Sequence, residues 1–140
     1  KEAAALLNQC ANGSFGKLES HLALKTSKGG SSFYLVGDSA TAPDFHLFEM
    51  LSQFHYMAHY YALNAAKDPT NVEGDLPLLA AFYTNFGALS QNQAYLKSEL
   101  NTFPFNNKGA KFGSTVGTGD RWTPAAGLQH FSTVAYYTRK

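Results

Sequence analysis

The sequence predicts an all-α domain followed by an irregular C-terminal extension. Apolar residues recur three and four positions apart in several segments before Ser98, which is the spacing of a helix face. Residues that favour helix starts, such as Thr41 and Pro43, precede these segments. Beyond Ser98 the helical spacing is lost, and turn residues separate single aromatic side chains. We therefore expect a helical domain over residues 1–113 and an extended tail over residues 114–140.

The first helix is expected over residues 2–25. Leu7 and Leu22 belong to one helical period that continues across the segment. Gly13 interrupts this segment at a cost of about 1 kcal/mol relative to alanine, so either one helix tolerates the glycine or two helices meet there. The unbroken period favours one helix. Cys10, the single cysteine, lies on the apolar side of this helix, and we expect a buried, inert thiol.

The central helix is expected from Thr41 to about Tyr60. Thr41 is a favourable N-cap residue, and Asp44 stands three positions later, where its carboxylate can accept the Thr41 N–H in a capping box. Pro43 falls in the first turn, where its missing N–H costs nothing. One face of this helix then carries residues at helical spacing: Phe45, Phe48, Leu51, His55 and Ala58. The width of this face predicts a helix at the centre of the fold.

Two shorter helices are expected after the central one. Asp75 stands where it can cap the first of them, and Pro77 falls in its first turn. Gly87 ends this helix, and Ser90 begins the next one.

Three motifs, taken in order, resemble the all-α C-terminal domain of glutathione transferases. They read Phe-x-x-Leu-Glu-x-x-Leu at 15–22, Gly-Asp-x-x-Thr-x-x-Asp-Phe at 37–45 and Tyr-Leu-x-Ser at 95–98. The family usually has alanine where this chain has Pro43, a change that the first turn of a helix tolerates. The resemblance covers about residues 1–113 and implies a glutathione-transferase C-terminal-like helical bundle.

The resemblance also implies what this chain can contribute to catalysis. In glutathione transferases the thiolate of glutathione attacks an electrophile, and the residues that bind and activate it come from an N-terminal thioredoxin-like domain. The sequence given contains no β-α-β segment of that kind. We therefore expect no catalytic residue and no cofactor, and we interpret the chain as a non-catalytic structural or interaction module in a larger assembly. The alternative is the C-terminal half of a true glutathione transferase, which uses glutathione to modify hydrophobic electrophiles.

The family's helical domain normally supplies one wall of the electrophile pocket. Tyr95 and Phe103 are the candidates for such a wall, although ordinary core packing is the favoured interpretation of both. His55 and His59 lie one turn apart on a single helix face, a spacing that suits a transition metal. The sequence shows no third ligand, so no metal site is predicted. We expect His46 and His55 to donate to carbonyl groups or to face solvent.

The tail is the part expected to dock on another protein, because isolated aromatic side chains need a surface that buries them. The aromatic residues concerned are Trp122, Phe131, Tyr136 and Tyr137. A helical domain of this family also has a face that normally meets a partner domain. Other protein subunits are therefore the expected partners, and a free monomer is not expected.

Composition excludes several other classes of partner. The net charge is +1 and the eleven lysines and arginines are scattered, so we expect no nucleic-acid binding. No apolar run approaches the roughly 20 residues that span a bilayer. One cysteine allows no internal disulfide. We expect a soluble protein in a reducing compartment, either the cytoplasm or an organelle, for example in a plastid or mitochondrial assembly.

Overall fold

A computed structural model describes residues 1–98 of the chain. This part is helical and contains no strand. The helices are α1 (Glu2–Cys10), α2 (Gly16–Ser27), α3 (Ala42–Tyr60), α4 (Pro77–Ala88) and α5 (Ser90–Leu96). The all-α prediction is confirmed. The predicted boundary between residues 113 and 114 lies outside the described residues.

The N-terminal helix is continuous, as the unbroken apolar period predicted. A π-helical segment, Ala11–Phe15, joins α1 to α2, and the backbone stays in the right-handed helical region at both junctions. The sequence did not predict this widening of the helix. Phe15 ends the segment fully buried, and its ring meets the Phe54 ring edge to face at a centroid distance of 4.8 Å. The π-helical segment therefore contributes an aromatic anchor to the core.

Helix α3 lies at the centre of the first unit, Lys1–Leu89, and packs against α1 and α4. Its buried apolar side chains are Leu47, Phe48, Leu51, Tyr56, Met57 and Ala58. The expectation that Phe45 belongs to the buried face is wrong, because its side chain is 46% exposed. Phe45 stands in the first turns of α3, and its ring covers Phe86 of α4 instead, with centroids 5.0 Å apart.

Helix α4 begins differently from the prediction. Its N-cap residue is Leu76, which makes no side-chain cap, and the prediction that Asp75 caps the helix is wrong. The carboxylate of Glu19, on α2, accepts the N–H groups of Leu78 and Leu79 instead, both at 2.8 Å. Asp75 forms an ion pair with Lys67 at 2.6 Å. A side chain from a distant helix therefore replaces the local cap.

Helix α5 starts at Ser90, as predicted, and belongs to a second unit that begins at that residue. Across residues 1–98, the helices include none with the length and hydropathy of a membrane-spanning segment.

Candidate functional site

The start of α3 is organised by one buried carboxylate. Asp44 is fully buried, and its Oδ2 accepts both the backbone N–H of Thr41, at 2.8 Å, and the Thr41 hydroxyl, at 2.5 Å. Its Oδ1 accepts the N–H of Leu35 at 2.7 Å. The predicted capping box is therefore confirmed. Its carboxylate also attaches the preceding loop to the helix, which the spacing of Thr41 and Asp44 did not reveal.

A second buried carboxylate lies near the other end of α3. Asp68 follows a short 3-10 turn, Ala65–Lys67, and its Oδ2 lies 2.8 Å from Nδ1 of His55. Its Oδ1 accepts the N–H and the hydroxyl of Thr70, both at 2.9 Å. The Thr70 hydroxyl oxygen is also 2.8 Å from the same His55 nitrogen. Asp68, His55 and Thr70 therefore form one connected polar network.

The network extends to His59, one turn further along α3. Nε2 of His59 lies 3.8 Å from Asp68 Oδ2. The centroids of the His55 and His59 rings are 4.3 Å apart. The pKa of His59 is lowered, mainly by its partial burial and to a smaller extent by the neighbouring His55. The Asp68 carboxylate acts in the opposite direction. Burial acts to raise the pKa of Asp68, but hydrogen bonds from His55 and Thr70 outweigh it and hold that pKa below its usual value. A carboxylate and two imidazoles thus share one site.

The expectation that His55 donates to a carbonyl group or faces solvent is wrong. Its ring meets a carboxylate that lies thirteen positions further along the chain. His46 is exposed on α3, and exposure to solvent is one of the two environments expected for it.

An apolar recess of about 200 Å³ lies between the loop before α3 and the C-terminal end of α4. Its lining residues are Phe33, Tyr34, Asn85, Phe86, Ala88 and Leu89. Pockets for drug-sized ligands usually have volumes of about 300–1,000 Å³. The recess is therefore better suited to one inserted side chain than to a whole hydrophobic substrate.

Exposed hydrophobic side chains lie close to this recess along the chain: Phe33 lines it, and the ring of Phe45 contacts Phe86 of its lining. Phe33, Val36 and Phe45 are 52%, 61% and 46% exposed. The hydrogen bond from Leu35 to Asp44 holds the segment that carries Phe33 and Val36 against the start of α3. We call these three exposed residues the apolar patch.

Tyr56 on α3 and Tyr83 on α4 are held in their neutral form. Burial, together with the nearby charges, raises the pKa of Tyr56 well above its ordinary value. Burial also raises the pKa of Tyr83, against a hydrogen bond from the Ser52 hydroxyl at 3.2 Å. Such hydroxyls stabilise the core as neutral groups.

Comparison with protein-family models identifies the domain. The model described as "Glutathione S-transferase, C-terminal domain" matches residues 1–99, which is most of the chain. The chain belongs to the glutathione S-transferase C-terminal domain family. Neither the search of curated proteins nor the search of solved structures found a significant match.

In this glutathione S-transferase C-terminal domain, the described residues include Tyr95, one of the two predicted pocket-wall residues. Tyr95 lies on α5 with 42% of its surface exposed, so core packing is the wrong interpretation of this residue, and its role as a pocket wall stays a prediction. Phe103 lies outside the described residues. The four aromatic residues predicted to dock on a partner also lie outside them: Trp122, Phe131, Tyr136 and Tyr137.

Sequence reasoning missed Asp68 and misjudged Cys10. An aspartate side chain often accepts the backbone N–H two positions later in a turn, and Asp68 accepts that of Thr70 in this way. That turn fixes the carboxylate that meets His55. Cys10 is half-buried, not fully buried as expected.

Proposed function

We propose that this helical domain is a non-catalytic structural or interaction module that packs its apolar patch against another protein in a larger assembly. The observation that carries the proposal is the patch itself, in which Phe33, Val36 and Phe45 expose large apolar surfaces and Phe33 also lines the recess. Grouped hydrophobic side chains of this kind are typical of protein interaction sites. A partner side chain inserted into the recess would act as the anchor of such an interface.

The chemistry of the buried ionisable groups supports the same role. Asp44 accepts the N–H groups of Leu35 in the loop and of the N-cap residue Thr41, and Glu19 accepts N–H groups in the first turn of α4. Tyr56 and Tyr83 have raised pKa values, whereas a tyrosine that activates a thiol must reach the ligand with an available hydroxyl. Each of these groups already has a structural task within the helical domain.

The size of the native assembly tests this role. The double variant Phe33→Ser/Val36→Ser, expressed in place of the wild-type protein, should move the protein to a smaller species in sedimentation analysis. Leu24→Ser is the matched control, because Leu24 is 55% exposed on α2 and is not part of the patch. An assembly that is unchanged by the double variant, or that Leu24→Ser disrupts equally, would contradict the proposal.

The second candidate is the helical half of a glutathione transferase that joins glutathione to hydrophobic electrophiles. Family membership and the recess favour it, since a helical domain that forms a pocket wall would also present apolar side chains there. The intact mass and the upstream coding sequence of the native protein separate the two candidates. About 80 further residues with a thioredoxin-like β-α-β pattern would favour the enzyme.

A further inference from the structure

We propose that His55, His59 and Asp68 form a binding site for one Zn²⁺ ion. Nδ1 of His55, Nε2 of His59 and Oδ2 of Asp68 are the ligand atoms, and the three side chains offer atoms that lie within 4.8 Å of one another. Two imidazoles and one carboxylate are a ligand set that zinc accepts. The site is independent of the apolar patch and of the proposed packing role.

Two of the three ligand distances in the cluster are close to those of a tetrahedral site. Zinc lies about 2.0–2.2 Å from nitrogen and oxygen ligands, which places two ligand atoms of a tetrahedron about 3.3 Å apart. The two separations from Asp68 Oδ2 are 2.8 Å to Nδ1 of His55 and 3.8 Å to Nε2 of His59, and ligand atoms of all three side chains lie within 4.8 Å of one another. Changes of about half an ångström would bring these two pairs to the ideal value, and rotation of the exposed His59 ring would have to close the His55–His59 pair by up to about 1.5 Å.

The backbone already holds the ligands in place. His55 and His59 stand one turn apart on α3, so the helix fixes their relative position. Asp68 is buried, and Thr70 donates twice to its Oδ1, which leaves Oδ2 directed at the imidazoles. Partners of this kind, which orient a ligand without touching the metal, typically contribute about 10–100-fold to metal affinity.

The cluster also provides access and an open position. The side chain of His59 is 45% exposed, so an ion can reach the site from solvent. A carboxylate only accepts hydrogen bonds, so the His55 nitrogen that faces Asp68 carries a proton in the metal-free protein. Zinc would replace that proton, which leaves to solvent, and water would complete the fourth position. The ion would join the C-terminal half of α3 to the loop that contains Asp68.

A simpler explanation of the cluster makes a different prediction. The contacts among His55, Asp68 and Thr70 alone would stabilise the loop as a hydrogen-bonded turn. That explanation gives no function to His59, whereas zinc binding requires it. His59 therefore separates the two explanations.

Calorimetric titration of chelator-treated protein with Zn²⁺ tests the proposal, and the visible spectrum of the Co²⁺-loaded protein reports tetrahedral ligation. We expect one equivalent of Zn²⁺ to bind and to raise the melting temperature. His59→Gln should weaken binding at least about tenfold and remove the Co²⁺ spectrum. Thr70→Val should weaken binding by about 10–100-fold.

His46→Gln is the matched control, since His46 is exposed on the same helix and lies outside the cluster. It should leave zinc affinity unchanged. Asp68→Asn is less informative if it unfolds the loop, whereas the exposure of His59 makes His59→Gln compatible with folding, which circular dichroism checks. Absence of zinc binding to the wild-type protein, or equal affinity in folded His59→Gln and His46→Gln, would overturn the proposal.

Discussion

Asp44 shows how one side chain determines a local structure. It is fully buried, yet its two oxygens accept three hydrogen bonds, from the Thr41 N–H, the Thr41 hydroxyl and the Leu35 N–H. A buried carboxylate is tolerated only when such partners replace its lost hydration. The helix start and the preceding loop therefore depend on the same residue.

Replacing Asp44 with alanine should destabilise the domain by more than the loss of a cap alone. Loss of an N-cap interaction costs about 0.5–2 kcal/mol, and a buried donor left without an acceptor adds about 1–3 kcal/mol. We expect the free energy of unfolding, measured by urea denaturation, to fall by at least about 2 kcal/mol. Asp38→Ala is the control because Asp38 is exposed in the loop before α3. Equal losses in the two variants would contradict this account of Asp44.

Tyr56 and Tyr83 predict how stability changes in alkali. Burial raises the pKa of both hydroxyls in the folded state, so the folded protein holds these protons more tightly than the unfolded chain. Their contribution to stability is complete below the unfolded tyrosine pKa of about 10. It is lost progressively as the pH rises above that value.

The free energy of unfolding should therefore decrease from about pH 10 upward. Tyr83→Phe should make this decrease less steep, because phenylalanine has no proton to lose. Urea unfolding at a series of alkaline pH values measures the slope. An unchanged slope in Tyr83→Phe would show that Tyr83 does not contribute to it.

The start of α4 is an element that tertiary structure specifies. Its local sequence provides Pro77 in the first turn but no side-chain cap at Leu76. Both oxygens of Glu19, on α2, accept N–H groups of this first turn. The negative charge also lies at the positive end of the α4 dipole, which is favourable. Glu19 thus links the packing of α2 to the start of α4.

Glu19→Ala should lower the free energy of unfolding by about 1–3 kcal/mol, since it leaves the N–H groups of Leu78 and Leu79 without their acceptors. Glu19→Gln keeps one oxygen and should cost less. Urea denaturation measures both changes. Glu2→Ala, which removes an exposed carboxylate from α1, serves as the control. A loss in Glu19→Ala no larger than in the control would disprove the remote cap.

The sequence allowed prediction of the elements whose signals are local. Thr41, Pro43 and Asp44 mark the start of α3 within four positions, and the structure confirms each role. The cap of α4 could not be predicted in this way, because Glu19 lies 59 positions from Leu78. The contact of His55 with Asp68 could not be predicted either, because it depends on how the loop that contains Asp68 folds back onto α3.

Exposure is also a property of the packed domain and not of the helical period. Phe45 stands on the predicted apolar face, but its position in the first turns of α3 leaves its ring partly exposed over Phe86. Periodicity identified the face correctly along the middle of the helix, where Phe48, Leu51 and Ala58 are buried. It gave no information on where the neighbouring helices end.

At the scale of the whole molecule, the family match identifies the fold, whereas the proposed role depends on the surface of the domain. Residues 1–99 belong to the glutathione S-transferase C-terminal domain family, and the all-α fold of the described residues agrees with this family. The proposed packing role depends on the apolar patch of Phe33, Val36 and Phe45. A patch that serves as an interface requires a partner, whereas a catalytic role requires a group that activates glutathione.

We propose that this domain serves packing and not glutathione chemistry. The most direct measurement is the rate at which the complete native protein, isolated with its associated subunits, conjugates glutathione to a hydrophobic electrophile. We predict no turnover above the uncatalysed rate at any glutathione concentration. Saturable turnover, abolished when the helical domain is removed, would contradict the claim and favour the glutathione transferase.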